Sequence, residues 1–255
     1  TNFTGSVAEV IVPAQGKVQL FVDGRYFEQA AQEINPQKVE VVECTQQKSV
    51  FEQLLDRLQA EDRNKLILSA DRTTYGDYQQ LSKLISLAHF KEGSLESLIG
   101  LSHQVIAKEI EKVSDHWKLP TVSEKLKSLS LKNGEAFFTA SIDSIAWLTN
   151  LRGYQLPYLS SFYSKALVLA EKVHLFLPGD QKVLGDIKKD ILVHQFHSTY
   201  ELYSKLQELL QKESISRIQC ATSTTTAADM LFLKEHCGEA LNAPLGLYAF
   251  QSVKS

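Results

Sequence analysis

Thr149-Asn150-Leu151-Arg152-Gly153, followed by the apolar stretch Val173-His174-Leu175-Phe176-Leu177-Pro178-Gly179, repeats a pattern that already stands at the start of the chain. There it reads Thr1-Asn2-Phe3-Thr4-Gly5, followed by Val18-Gln19-Leu20-Phe21-Val22-Asp23-Gly24. Internal similarity is read first because it fixes the unit of folding. Each copy continues through one series of elements. A second apolar strand comes next, Val39-Glu40-Val41-Val42 in one copy and Ile191-Leu192-Val193 in the other. An amphipathic helix follows, with Val50, Leu54, Leu55 and Leu58 on one face in the first copy. Leu202, Leu206, Leu209 and Leu210 likewise lie on one face in the second. Strand Lys65–Ala70, or Arg217–Ala221, then leads into a threonine turn, Thr73-Thr74 or Thr224-Thr225-Thr226. An aspartate stands three residues past the last threonine of each, Asp77 and Asp229. Threonine hydroxyls at this point read as N-caps, accepting free backbone N–H groups of a helix's first turn.

The copies differ at their beginnings. Ahead of Thr149 the sequence predicts a helix over Val122–Leu131, a buried strand Glu135–Ala140 and a short helix Ile142–Leu148 begun by Ser141. Nothing of the kind precedes Thr1. The first copy is therefore expected to be truncated at its start, its sheet short of at least one central strand. Between the copies, Leu98–Trp117 reads as a helical connector with an apolar stripe of Val105, Ile106, Ile110 and Val113, closed by Lys118-Leu119-Pro120. The boundary is placed near residue 119, dividing the chain into domains 1–118 and 119–255. Strands alternating with helices indicate α/β domains with a mixed sheet.

Composition narrows the function. The chain has 255 residues, 44% hydrophobic and 22% charged, with a formal net charge of −3. That is a globular profile. Lysines and arginines are scattered, so no basic face is available to displace counterions from phosphates, and nucleic acid is not an expected partner. No apolar run reaches the roughly 18 residues of a membrane span. Cys44, Cys220 and Cys237 are odd in number and far apart, which reads as three reduced thiols in a cytoplasmic protein.

Two longer motifs carry a resemblance. Phe3-Thr4-Gly5-Ser6 with Phe21-Val22-Asp23-Gly24-Arg25-Tyr26-Phe27-Glu28-Gln29-Ala30 is similar to the signature of the creatinase/prolidase N-terminal domain. Ser144-Ile145-Ala146-Trp147-Leu148-Thr149-Asn150-Leu151-Arg152-Gly153 resembles that of the middle domain in three-domain aminopeptidase P. The chain departs from the pattern at Val7-Ala8, where a glycine is usual, and after Trp117, where Lys118-Leu119-Pro120 replaces a Trp-x-x-Arg-Pro exit. The resemblance implies two tandem creatinase N-terminal-like domains, each a ribonuclease H-like mixed sheet flanked by helices. It also implies a parent Xaa-Pro aminopeptidase whose chemistry belongs to a third, C-terminal domain. There two divalent metal ions (Mn or Zn) are held by two aspartates, one histidine and two glutamates, to activate water. No such ligand set is found in this sequence. Residues 1–255 are thus expected to be inactive alone and without cofactor. Their implied partners are the catalytic domain, a second subunit in a homodimer, and peptide substrate. Their implied roles are dimerisation and limiting cleft access.

Individual candidates are few. Arg25 either faces a dimer partner's cleft to read a substrate carboxylate or carbonyl, or pairs with an acidic neighbour to fix the Asp23-Gly24-Arg25 turn. His194 and His197 are three apart with no third ligand at zinc spacing, and read as a solvated pair. Ser141 with Asp143 lacks a histidine and reads as a helix cap. Trp147 reads as core, and Gly153 as a positive-φ helix terminator. The rival function is a binding or scaffold protein that retains creatinase-type domains without catalysis.

Overall fold

The structure, a computed structural model, describes residues 1–44, 47–61, 63–90, 109–156, 158–185, 189–237 and 239–242. Its elements in chain order begin with β1 (Glu9–Ile11), β2 (Val18–Asp23), α1 (Phe27–Glu33), β3 (Val39–Cys44), α2 (Val50–Ala60), β4 (Lys65–Leu68), α3 (Tyr75–Leu84), β5 (Ser86–His89) and β6 (Glu111–Lys112). They continue with α4 (Val122–Leu129), β7 (Glu135–Thr139), α5 (Ile142–Thr149), β8 (Leu151–Arg152), β9 (Lys165–Val168), β10 (Val173–Pro178), β11 (Ile191–Phe196), α6 (Thr199–Lys212), β12 (Arg217–Cys220), α7 (Ala227–His236) and β13 (Glu239–Asn242). Two compact units result: Thr1–Ile67 with Gln80–Ala88, and Leu68–Gln79 with His89–Ser255.

In the second unit six strands form one mixed sheet in the order β11-β10-β9-β7-β12-β13. Strand β7 sits inside it, antiparallel to β9 and parallel to β12. Strand pleating sends alternate side chains to opposite faces. Ala136 and Phe138 of β7 accordingly join Leu167, Phe176 and Ile218 on the face covered by α6 and α7, through Leu202, Leu206, Leu209, Met230 and Leu233. Phe137 joins Ala166, Val168, Leu175 and Leu177 on the other face, under Val122 and Leu126 of α4 and Ile145 and Leu148 of α5. A three-layer α/β/α domain with a mixed sheet is the architecture that the alternating elements predicted.

Local sequence starts these helices where expected. Thr121 and Glu124 close a reciprocal capping box on α4, and Ser141 accepts from the Ser144 amide to start α5. Thr226 caps α7, its hydroxyl accepting from the Asp229 amide at 3.2 Å.

The first unit carries the three-stranded sheet β1-β2-β3, with β4 and β5 in a separate two-stranded sheet. β2 and β3 run parallel in a six-pair register, as β10 and β11 do. Leu20, Val22, Ala30 and Val39 form its core, and α2 packs on β2. Among the described residues, β1 pairs with β2 and β4 with β5.

Part of the predicted connector, residues 98–108, lies outside the described residues. The remainder is not a helix. Glu111–Lys112 is strand β6, paired antiparallel with β8, and Asp115–Trp117 is a 3-10 turn. Ile110 is fully buried and bridges to Val183 instead of lining a helical stripe. Non-local strand pairing outweighed the local periodicity here.

The two threonine turns meet within the second unit. Thr74 bridges Thr226, the Tyr75 amide donates to Thr225 O, and the Ala227 amide donates to Thr73 O. Gly76 donates to Thr222 O as Ala228 donates to Ala70 O. All these positions are related by one shift, that between Thr74 and Thr226. The bonds therefore come in exchanged pairs, as in a two-fold contact between identical surfaces. Duplication is written in the hydrogen bonds as well as in the sequence.

Candidate functional site

The signature residues of the first copy are tied to one another. Glu33 at the end of α1 accepts from the Thr4 amide and the Thr4 hydroxyl, both at 2.7 Å, and from Gln29 Nε2 at 2.9 Å. The Gln29 and Thr4 bonds hold its carboxyl below the usual glutamate range. Ser6 Oγ lies 2.6 Å from the Tyr26 hydroxyl, and the Phe3 ring meets Tyr26 edge-on. Arg25 stands on the 3-10 turn Gly24–Tyr26, exposed, with Nη2 2.6 Å from Asp23 Oδ2. Asp23 also accepts from the Arg25 amide, and this pairing lowers its pKa. The acidic neighbour considered for Arg25 is thus Asp23 itself, and the guanidinium also lies against the Tyr26 ring.

The second signature closes α5. Asn150, in the left-handed region at φ 56, ends the helix. Its Oδ1 accepts from Lys125 Nζ at 2.5 Å, its Nδ2 donates to Pro120 O, and its carbonyl accepts from the Val113 amide. Lys125 is buried, bonded also to Trp147 O and seated over the Trp147 ring. Arg152 Nη1 donates to Ala146 O at 2.7 Å and Leu151 O at 2.8 Å. A pocket of about 90 Å³ opens beside this junction, lined in part by Lys112, Lys118, Thr149, Asn150, Leu184 and Ile191.

Gly153 does not terminate the helix. Asn150 takes that role, because its short polar side chain tolerates the left-handed conformation. Gly153 is required for space: a β-carbon there would lie 2.5 Å from Phe162 Cβ, and Phe162 is fully buried. Gly153→Ala is expected to destabilise the second unit by about 1–3 kcal/mol through overpacking. The urea midpoint should fall with the slope unchanged. An unchanged midpoint would mean that Phe162 gives way freely.

The histidines are arranged differently from the expected solvated pair. His197 is exposed and faces Asp180 and Glu201, which raise its pKa. His194 is turned inward, its Nε2 2.9 Å from Nδ1 of His174, and the two rings stack. Burial, reinforced by His194 and Lys172, pushes His174 down to about 4, and burial also lowers His194. Sequence inspection missed His174, whose partner arrives only through the parallel β10–β11 register.

Ser141 Oγ donates to Ser144 Oγ at 3.0 Å and serves its helix. All three cysteines are buried and unpaired in disulfides, and burial pushes the Cys220 thiol up to about 12, so it stays protonated near neutrality. Among the described residues, no group of three or more His, Cys, Asp or Glu side chains could hold a metal ion, and no helix is long and apolar enough to cross a membrane.

Comparison with known proteins places this architecture. A probable Xaa-Pro aminopeptidase P of Ajellomyces dermatitidis is 28% identical over 84% of this chain, which spans 36% of that protein. A probable Xaa-Pro aminopeptidase P of Tuber melanosporum is 24% identical over 96% of the chain and 41% of its own length. Among solved structures, the X-prolyl aminopeptidase of Caenorhabditis elegans, described as a cytosolic enzyme with a di-nuclear active site, shares the fold with a TM-score of 0.74. It is 18% identical, with 95% of this chain and 42% of that one covered. The chain thus spans roughly two fifths or less of these relatives. Models of the creatinase/prolidase N-terminal domain match residues 1–98 and, separately, 102–245. The chain therefore belongs to the creatinase/prolidase N-terminal domain family, of which it carries two tandem copies.

Proposed function

We propose that residues 1–255 are the non-catalytic portion of an Xaa-Pro aminopeptidase, a hydrolase that releases the N-terminal residue ahead of proline. The observation that carries this reading is the covered share. Relatives named as Xaa-Pro aminopeptidases match nearly the whole chain, yet the chain spans only 36–41% of their length. The signature residues support it from the other side, since they hold helix ends and turns together. The described residues offer no ligand set for a pair of divalent ions, so no metal-dependent step is assigned to them. The roles proposed for the two domains are dimerisation and restriction of the catalytic cleft to short peptides, in a cytoplasmic enzyme. Arg25 is proposed to face peptide substrate, with Asp23 orienting its guanidinium.

The test compares residues 1–255 with the complete gene product in release of the first residue from Xaa-Pro peptides. The complete protein should be active and residues 1–255 inactive. Activity in residues 1–255 alone would overturn the reading, and an inactive complete protein would favour a scaffold. In the active protein, Arg25→Ala should raise KM about tenfold, the effect of one charge-assisted hydrogen bond, with kcat unchanged. An unchanged KM would leave Arg25 as a turn residue only.

A further inference from the structure

Lys118 and Leu119, from the segment where the chain departs from the family's usual exit, line the pocket of about 90 Å³ beside the Asn150 junction. Its apolar lining includes Val122, Leu151 and Ile191, all buried in the second unit. Leu119 and Leu184 also line it, yet they are 42% and 40% exposed. A concave apolar surface with a small number of polar groups is the usual form of a small-molecule site.

The polar lining is engaged with one exception. Lys112 Nζ donates to Asp115 Oδ1 at 2.6 Å, Ser114 Oγ accepts from the His116 amide, and Thr121 is joined to Glu124. The Thr149 hydroxyl donates to Ile145 O, and Asn150 is bonded through both of its side-chain polar atoms. Lys118 differs. It ends the 3-10 turn Asp115–Trp117 in the left-handed region, at φ 47, and that turn sets it at the pocket. Its ammonium makes no hydrogen bond or ion pair among the described residues. Lys125, bonded to Asn150 Oδ1, adds positive potential from behind the wall, while Glu124 serves the Thr121 cap and Asp115 serves Lys112. An uncommitted cation beside an apolar floor favours an anion that carries an alkyl group.

We propose that this pocket binds a small branched aliphatic carboxylate. The alkyl group lies on Val122, Leu151 and Ile191, and the carboxylate accepts from the Lys118 ammonium. A dry cavity of about 150 Å³ admits a benzene ring, so the smaller volume here suits an alkyl group of about four carbons. Free acids such as isovalerate and amino acids such as leucine share this chemistry. The site stands independently of the peptidase reading, because binding reads it and activity does not.

Titration of isovalerate into the isotope-labelled 255-residue chain, followed by amide NMR shifts, tests it. Saturable shifts should appear at Leu119, Val122, Leu151 and Leu184, with a Kd of about 1 mM for a ligand of so few atoms. Acetate, which lacks the alkyl group, and isovaleramide, which lacks the charge, should each bind about tenfold more weakly. Lys118→Met keeps an apolar stem and removes the ammonium. The side chain is exposed and bonded to nothing described, so the variant should fold. It should bind isovalerate about tenfold more weakly than the parent chain does, and isovaleramide equally well. Leucine, titrated in parallel, separates the sources: tighter binding than isovalerate assigns an amino acid, and weaker binding assigns a free acid. Equal affinity for isovalerate and isovaleramide would overturn the site, as would an unchanged affinity in Lys118→Met. Shifts that stay linear to about 20 mM, or that miss these four residues, would also overturn it, as adventitious binding.

Discussion

Lys165→Met is expected to destabilise the second unit by about 3–5 kcal/mol, because it strands a charge in the core. Asp229 is fully buried, and Lys165 Nζ reaches both of its oxygens at 2.6 Å. Tyr203 OH donates to Oδ1 at 3.1 Å and Thr226 Oγ1 to Oδ2 at 2.8 Å. These neutral donors remain in the variant, but they do not replace the cation. Lys165→Met combined with Asp229→Leu removes both charges, and should recover part of the loss relative to the sum of the single changes. Urea denaturation of the four proteins measures this. A single-variant loss under about 0.5 kcal/mol would mean the pair contributes no more than a surface ion pair. The first copy supplies the contrast. Asp77 keeps the threonine cap, accepting from Thr74 Oγ1 at 2.7 Å, but is only partly buried. Asp77→Ala, which removes the hydrogen bond accepted from Thr74 Oγ1 and leaves the cap itself, should therefore cost only about 1 kcal/mol.

That contrast shows what the sequence made legible. Thr74, Asp77, Thr226 and Asp229 announce two capped helices because a cap is decided within four residues. The strand Glu135–Thr139 was equally legible, since Ala136-Phe137-Phe138 is a continuous apolar run. Contacts made across sequence distance were hidden. Nothing near Lys165 marks it as the partner of Asp229, 64 residues away. The 109–117 segment carries helical spacing, yet forms β6, because Leu151 and Arg152 offer it a strand. Asn150 took the helix-ending role expected of Gly153 for a related reason. The burial of Phe162, which makes Gly153 indispensable, is a packing fact that no local pattern records. For Arg25, the sequence left the turn pairing and the substrate role open, and both depend on one side chain whose geometry toward Asp23 is now defined.

Lowering the pH from 7 to 5 is expected to remove about 2 kcal/mol of the second unit's stability through His174. Both His174 and His194 have folded pKa values below the ordinary 6.5, His174 at about 4. The charged form is therefore resisted in the folded state. Above pH 6.5 His174 is neutral in both states and costs nothing. Between 6.5 and about 4 the unfolded chain takes up a proton that the folded chain refuses, so stability falls as pH falls. Below about 4 both states are protonated and this loss is complete at about 3 kcal/mol. The groups around the pair are Lys172, Lys205 and Lys212, which oppose protonation, and Glu213 and Glu208, which favour it. Glu213 and Glu208 themselves titrate below the ordinary 4.5, so their own losses come at lower pH. His197 acts with the opposite sign, its raised pKa adding stability at low pH that is lost as pH rises through it. The variant that isolates the effect is His174→Gln, since β-strand register places Gln19, also buried, at the same point of the first copy. Glutamine cannot titrate, so the fall between pH 7 and 5 should shrink to well under half in urea melts. An undiminished fall in the variant would assign the acid sensitivity to other groups, and would mean that the folded protein accommodates a charged imidazole between β10 and α6.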